Sequence, residues 1–403
     1  MAARNAARNP GRSTLTIGLM AVASFLIVAM SSFRLAPTAS GTGGFDLVAE
    51  SAEPVFGDWD TPAGREELLA DHATVLDGST VLPLRLQAGD DASCNNLYQA
   101  TQPRILGVTE PFVRHFEDPA VQAFSWAGQA AETPAEEMNP WRLLHPVGSP
   151  APSVDAGDNA SAPVIPVVLD KNMAMYSLHL YGGVGEEFEL TYSDAGPLRF
   201  RVAGLLSNSV LQGALLIGEA DFVQRFPDVS GYRYFLIQSP DGRAQQVAAA
   251  LEDRLGDQGF DAASARERLE DLFAVQNTYL STFQSLGALG LLLGTLGLAA
   301  VQMRNVIERR GELALLRAAG FRRRRLARLV MIEALALLAG GLLTGFLAAL
   351  VTTLPHIFLG GASIPLGDLA VLLALVLVVG SLTSLASVRT VLRAPLLAAL
   401  REE

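Results

Sequence analysis

The 403-residue sequence has one cysteine, Cys94, and one lysine, Lys171. A single cysteine excludes an internal disulfide and any metal site built from several cysteines, and we interpret Cys94 as a buried structural thiol. A Walker A loop needs its lysine within G-x-x-x-x-G-K-[ST], whereas Lys171 follows Leu-Asp. The sequence therefore contains no ATP-binding loop of this type.

Histidine is also scarce, and no two histidines have the spacing of a known metal motif. We therefore expect surface or core histidines rather than ligands, and we predict no metal site, no catalytic residues and no cofactor bound by this chain itself. The chain is accordingly predicted not to be an enzyme. The five histidines are His72, His115, His145, His179 and His356.

Charge is divided unevenly along the sequence, which has a net charge of −11. Residues 34–275 contain 35 acidic and 15 basic residues, a net charge of −20, whereas the remainder contains 6 acidic and 15 basic residues, a net charge of +9. An acidic block of this size repels phosphate backbones, so we predict no nucleic-acid partner.

Two long stretches lack charged residues altogether, 272–303 and 334–367. Each is long enough to cross a bilayer as a helix, which needs about 20 apolar residues. Between them, 304–328 holds nine arginines against the two acids Glu308 and Glu312. Short arginine-rich loops stay in the cytoplasm, so this loop sets the predicted orientation of the whole chain.

The amino-terminal apolar stretch 15–33 has two interpretations, a first membrane span or a cleaved signal peptide. We favour the span, because its length is at the upper limit for a signal peptide and the later spans require the same topology. The predicted fold is an inner-membrane protein with four transmembrane α-helices and a large extracytoplasmic α/β domain between the first two. The predicted segments are a cytoplasmic start at 1–14, spans at 15–33, 279–303, 329–354 and 369–388, the domain at 34–275, a coupling loop at 304–328, an outer loop at 355–368 and a cytoplasmic tail at 389–403.

The extracytoplasmic block is predicted to have two parts, a weakly periodic one at 45–150 and a clearer one at 164–275, joined by a Pro/Ser/Ala-rich linker. In the second part, alternating residues on both sides of 194–197 predict a β-hairpin. Residues 261–273 are predicted to be helical and to continue into the second span as a stiff stalk.

Glycines recur at four-residue spacing in the second and third predicted spans, at Gly290 and Gly294 and again at Gly341 and Gly345. Small residues at this spacing let helices approach closely. They could serve association of two subunits or packing of helices within one chain, and the residues alone leave both open.

The basic loop can form an amphipathic helix over 311–326, with Leu313 and Leu316 on one face and arginines on the other. Such a helix could lie on anionic lipid headgroups or dock on a partner protein. Glu333 lies one turn inside the third predicted span, where we expect it to pair with Arg304 or Arg328.

At this loop the sequence resembles the FtsX-like permease family, which includes the membrane part of MacB-type ABC transporters. The resemblance extends to Val202-Ala-Gly-Leu-Leu and Gly231-Tyr-Arg-Tyr-Phe in the acidic block, which are similar to the MacB-like periplasmic core domain. In the loop it is carried by Glu308, Arg309, Glu312, Leu313, Leu315, Arg317, Ala318 and Gly320, followed by Glu333 and Ala334.

The resemblance implies an ABC transporter permease subunit that dimerises and couples ATP hydrolysis by a separate ATPase to movement of its extracytoplasmic domain, for export, extraction or mechanotransmission. The implied partners are that ATPase, which binds the ATP, a second permease subunit, membrane lipid and a periplasmic adaptor. The alternative is a membrane-anchored extracytoplasmic ligand sensor or scaffold without an ATPase. The implied ATPase-coupling residues are Glu308, Arg309, Glu312, Leu313, Leu316, Arg317 and Gly320.

Overall fold

The computed structural model describes residues 10–59, 61–90, 101–145, 163–240, 242–308, 315, 319–360 and a few helical residues between 374 and 385. The chain forms two compact units. One, the α/β unit, comprises Ala36–Val275, and the other, the helical unit, combines Met1–Leu35 with Gln276–Glu403.

A 23-residue helix at Pro10–Ser32 is followed by short strands and short helices, and a second long helix begins at Ala265. The helices are α1 (Pro10–Ser32), α2 (Ala39–Thr42), α3 (Pro62–Leu69), α4 (Glu110–His115), α5 (Pro134–Met138), α6 (Glu219–Arg225), α7 (Ala244–Leu255), α8 (Ala265–Glu308) and α9 (Arg323–Gly360). The strands are β1 (Leu47–Val55), β2 (Thr80–Gln87), β3 (Arg104–Val108), β4 (Trp126–Gln129), β5 (Ile165–Asp170), β6 (Glu187–Tyr192), β7 (Gly196–Leu206), β8 (Ala214–Gly218), β9 (Tyr232–Gln238) and β10 (Phe260–Ser264). Short 3₁₀ or π turns occupy Ala70–Leu76, Pro140–Leu144, Met173–Ser177 and Gly256–Gln258.

The ten described strands of the α/β unit form one mixed sheet in the order β10-β1-β9-β2-β3-β8-β5-β7-β4, with β6 added to β7. Most pairs are antiparallel, but β3 runs parallel to β8 and β5 runs parallel to β7. Strands from both halves of the sequence alternate across this sheet. The two predicted parts, 45–150 and 164–275, thus contribute strands to the same sheet.

Neighbouring residues of each strand contribute to different cores, as the period of two in a β-strand requires. In β9, Tyr234 and Leu236 join a core that contains Trp141 and Phe112, whereas Phe235 and Ile237 pack with Trp59 and the buried face of α7. A third core surrounds Phe200 in β7 and Phe222 in α6. Both faces of the sheet are thus covered by helices and turns.

The predicted hairpin is present, because β6 pairs with β7 from Glu187↔Arg201 to Tyr192↔Gly196. The helix predicted from residue 261 is wrong at its start. Residues 261–264 belong to β10, which pairs antiparallel with β1 from Leu47↔Ser264 to Ser51↔Phe260. Alanines at 262 and 263 favour a helix locally, but pairing at the edge of the sheet overrides this propensity.

The helical unit contains α1 and α9, together with the part of α8 that follows Val275. Among the described residues, one helix is long and apolar enough to cross a membrane, Arg324–Leu354, and Ile17–Ser32 is a shorter apolar helix. The four-span topology stays a prediction, since most of the span predicted at 369–388 lies outside the described residues. Helix α9 begins at Arg323, earlier than the predicted start of the third span at 329.

Candidate functional site

Helix α1 packs along α9 within the helical unit. Met20, Ala23 and Ile27 of α1 are buried with Leu337, Leu338 and Leu342 of α9. Farther along both helices, Val28 and Ala29 are buried with Ala349. The apolar positions of α1 recur every three or four residues, as expected for one face of a helix.

Two glycines of α9 make this close packing possible. A Cβ atom at position 341 would lie 2.5 Å from Met20 Cβ and 3.1 Å from the Ile17 carbonyl oxygen. A Cβ atom at position 345 would overlap Ser24 Oγ and the Ala21 carbonyl oxygen. Gly341 and Gly345 therefore serve packing within one chain, one of the two roles that the sequence left open.

The glycines of α8 also approach α1. A Cβ atom at Gly294 would lie 2.8 Å from Met20 Cε, whereas one at Gly290 would have only Ala23 Cβ nearby, at 3.8 Å. Among the described residues, nothing lies within 4 Å of a Cβ atom placed at Gly297 or Gly340. Gly294 is thus part of the intrachain packing, and the role of Gly290 in dimerisation stays a prediction.

Polar contacts join the end of α1 to the part of α8 in the helical unit. The Leu35 N–H donates to Asn277 Oδ1 at 3.1 Å, and Asn277 Nδ2 donates to the Leu35 carbonyl oxygen at 2.9 Å. About two turns farther along α8, Gln284 Nε2 donates to Ser31 Oγ at 3.3 Å. Asn277 was not among the predicted functional residues, and the signal for it in the sequence is its polarity within the uncharged run at 272–303.

The predicted coupling residues are only partly within the described structure. Glu308 is the last residue of α8, and Gly320 lies in a turn with a φ of +94°. The remaining coupling residues, Arg309, Glu312, Leu313, Leu316 and Arg317, lie outside the described residues. The structure does not bring these residues into a described site.

The single helix predicted over 311–326 is interrupted at 319–322, whereas 323–326 are helical as predicted. Ala319 and Gly320 form a turn, Phe321 and Arg322 are non-helical, and the next helix begins at Arg323. A left-handed glycine ends a helix because it satisfies the last carbonyl groups without a Cβ clash. Consistent with this, the Ala319 N–H donates to the Leu315 carbonyl oxygen at 2.9 Å.

Basic side chains dominate the start of α9. Arg322, Arg324, Arg325 and Arg328 are exposed, and Phe321 is 43% exposed, whereas Leu326 is buried. Farther along the helix, Glu333 is buried with an exposure of 7%. Its predicted pairing with Arg304 or Arg328 stays a prediction.

The α/β unit holds a buried carboxyl group, Asp170, at the end of β5. Its carboxylate accepts hydrogen bonds from the Asn172 N–H at 2.8 Å and the Ser209 N–H at 3.1 Å. Burial raises the pKa of Asp170 to about 6, and these hydrogen bonds oppose that rise only in part. The carboxyl group joins two turns, which makes its role structural. No group of three or more metal-binding side chains occurs among the described residues.

The match to a known family lies within the helical unit. Residues 285–396 match the family model described as FtsX-like permease C-terminal. These residues form an FtsX-like permease domain. The family resemblance predicted from the basic loop is therefore confirmed, and the matched range includes every predicted coupling residue and all four spaced glycines.

A relative and a solved structure also show similarity. The chain is 27% identical over 200 residues to the pyoverdine export ATP-binding/permease protein PvdT of Pseudomonas putida, a region that covers 46% of this chain and only 29% of that protein. The crystal structure of the periplasmic region of MacB from Actinobacillus actinomycetemcomitans matches with a TM-score of 0.28 and 13% identity, covering 57% of this chain and 92% of that one. This similarity is too low to establish a shared fold.

Proposed function

We propose that this chain is the permease subunit of an ABC transporter, in which ATP hydrolysis by an ATPase moves the α/β unit outside the membrane. The observation that carries the proposal is the FtsX-like permease domain at 285–396. The relative from Pseudomonas putida is named as an ATP-binding and permease protein. Because this sequence has no Walker A loop, the ATPase lies outside it.

In this proposal the ATPase docks on the loop between α8 and α9. Helix α8 is described as far as Glu308 and α9 from Arg323, so this segment lies between two long helices in the sequence. The coupling residues are those that the family resemblance implies, Glu308, Arg309, Glu312, Leu313, Leu316, Arg317 and Gly320.

Movement at the loop reaches the α/β unit through α8. This helix is continuous from Ala265 to Glu308, and at a rise of about 1.5 Å per residue its length is on the order of 65 Å. Its first residues, Ala265 and Leu269, are fully buried in the α/β unit. A helix anchored in this way can pass movement to the sheet, which suits export, extraction or mechanotransmission.

Affinity purification of the full chain from its native membranes tests the proposal. We expect an ATPase with a Walker A loop to co-purify and to lose binding when Glu312→Lys or Leu316→Asp is introduced. The matched control is Glu267→Lys, the same charge reversal at an exposed position in the first turn of α8. Unchanged recovery of the ATPase with both loop variants would contradict docking at this loop.

The alternative is a membrane-anchored extracytoplasmic sensor or scaffold. It is favoured by the large α/β unit with a complete hydrophobic core, which could bind a ligand without any ATPase. If repeated purifications contain no Walker protein while a soluble ligand alters the α/β unit, the sensor replaces the transporter as the proposed function.

A further inference from the structure

The two residues before α9 and the first six residues of this helix, 321–328, hold an unusual concentration of positive charge. Arg322, Arg324, Arg325 and Arg328 are all exposed. No acidic residue occurs between positions 313 and 332 of the sequence. We name these four arginines with Phe321 the basic collar.

The charge of the basic collar opposes the electrostatics of its own helix. The amino-terminal end of a helix carries a partial positive charge, which favours acidic rather than basic side chains. The first turn of α9 contains no acidic residue. Arg324 and Arg328 are also four residues apart, and like charges at this spacing repel each other. Within the described part of the chain, no ion pair involves a collar arginine.

An anion placed on the collar would relieve this repulsion. Guanidinium groups bind phosphate oxygens through two parallel hydrogen bonds, and arginine is preferred to lysine wherever this geometry matters. All four collar cations are arginines. The collar therefore suits a phosphate ligand better than a diffuse cloud of counterions.

The position of the collar indicates which phosphate it binds. It lies at the start of the apolar helix Arg324–Leu354, the segment long enough to cross a membrane. Positively charged and aromatic residues at such a helix end lie at the depth of the lipid headgroups. The exposed apolar ring of Phe321 beside the arginines suits the boundary between the headgroups and the acyl chains. In the sequence, the turn at Gly320 lies between the collar and the other predicted coupling residues, Glu308 to Arg317.

We propose that the basic collar is a binding site for the phosphate groups of anionic phospholipids in the cytoplasmic leaflet. The site anchors the start of α9 and leaves the loop before Gly320 available to the ATPase. It depends on the proposed function only for the orientation of the loop in the membrane. An acidic surface of a partner protein is the competing occupant and is an outcome of the test.

The test measures binding of pyrene-labelled phosphatidylglycerol to the full chain in a neutral detergent, with labelled phosphatidylcholine as the reference lipid. The first variant changes all four collar arginines to glutamine, and we expect its affinity for phosphatidylglycerol to fall by at least about tenfold, since each arginine near an anionic surface contributes roughly fivefold. The matched control changes four exposed arginines of the α/β unit, Arg114, Arg254, Arg266 and Arg268, to glutamine. The control is expected to bind as the unchanged chain does.

A second variant changes the same collar arginines to lysine, which keeps the charge and the fold but removes paired hydrogen bonding to phosphate. We expect it to bind phosphatidylglycerol roughly threefold more weakly than the unchanged chain. Equal binding by the lysine variant and the unchanged chain would show a diffuse charge effect and would overturn the site. Equal loss in the control variant would do the same.

The two proposals fail in different ways. Leu316→Asp is expected to weaken capture of the ATPase and to leave phosphatidylglycerol binding unchanged. If the glutamine variant instead binds phosphatidylglycerol normally but no longer captures the ATPase, the collar contacts the protein partner and the lipid site is wrong.

Discussion

Asn277 binds the peptide groups on both sides of Leu35 with its side-chain amide. Its Oδ1 atom accepts the Leu35 N–H at 3.1 Å, and its Nδ2 atom donates to the Leu35 carbonyl oxygen at 2.9 Å. The two residues are 242 positions apart in the sequence. The contact fixes the chain after α1 against α8, close to the point where the two units of the protein meet in sequence. An amide side chain is suited to this role because it offers one donor and one acceptor.

Replacing Asn277 by leucine should destabilise the helical unit. Two peptide groups of Leu35 would lose their partners, and we expect a loss of about 1–3 kcal/mol in the free energy of unfolding. The measurement is the loss of helical circular dichroism in an SDS titration of the full chain in detergent. The matched control is Gln276→Leu, because Gln276 is adjacent and exposed. Equal stability of the two variants would mean that the Asn277 contact contributes nothing.

Two adjacent glycines of α9 give a second prediction. Gly341→Ala places a methyl group 2.5 Å from Met20 Cβ, so α1 must move away, and we expect a loss of about 1–3 kcal/mol. Gly340→Ala meets no described atom within 4 Å and should be neutral, or stabilising by up to about 1 kcal/mol through its higher helix propensity. The same SDS titration measures both variants.

Chemical cross-linking of the same two variants separates packing within the chain from association between chains. We expect Gly341→Ala to lower stability whatever the amount of cross-linked dimer. A Gly341→Ala variant of normal stability that no longer forms cross-linked dimers would contradict the intrachain role and would favour the dimer interface instead.

The sequence predicted local features of the fold well. The hairpin of β6 and β7 depends on adjacent residues and a glycine at Gly196 with a φ of +71°, so composition alone indicates it. The apolar segment of α9 that ends at Leu354 is likewise visible from its lack of charge after Glu333. In both cases the residues that determine the structure are close together in the sequence.

Features that depend on distant residues were missed. The parallel pairing of β3 with β8 joins Arg104 to Ala214, and no local pattern signals such a register. The same holds for Asn277, whose partner follows the first helix. In the basic loop, the arginines suggested an uninterrupted amphipathic helix, but Gly320 adopts a left-handed conformation and ends it. The helical propensity of the flanking residues does not indicate that Gly320 adopts a left-handed conformation.

The turn at Gly320 gives a third prediction. A φ of +94° is strained for any residue with a Cβ atom, and Gly320→Val should cost about 1–2 kcal/mol locally. The turn would then open more often, and we expect trypsin to cleave after the neighbouring arginines roughly 5–30 times faster. The control is Gly297→Val, since a Cβ atom there meets no described atom within 4 Å and its backbone is helical. Equal cleavage rates in both variants would show that the conformation of Gly320 does not limit opening of the loop.

The buried carboxyl group of Asp170 gives a pH-dependent prediction. Burial raises its pKa in the folded chain to about 6, from 3.8, so the folded state takes up a proton at a higher pH than the unfolded state does. The contribution of this carboxyl group to the free energy of unfolding is therefore complete below about pH 4. It is lost as the pH rises through 6. The difference between the folded and unfolded pKa values of Asp170 corresponds to roughly 3 kcal/mol in the free energy of unfolding.

Asp170→Asn should remove this component of the pH dependence, because asparagine does not titrate. Its single acceptor oxygen satisfies one of the Asn172 and Ser209 N–H groups and leaves the other unpaired, which should also cost about 1–3 kcal/mol at every pH.

The measurement is urea unfolding of the full chain in detergent at pH 4 to 7, followed by tryptophan fluorescence. The three tryptophans, Trp59, Trp126 and Trp141, all lie in the α/β unit, so the signal reports on that unit alone. Asp228→Asn, at an exposed position, is the control and should keep the slope of the unchanged chain. If Asp170→Asn keeps that slope as well, another group titrates in this range and the carboxyl group of Asp170 stays ionised in the fold.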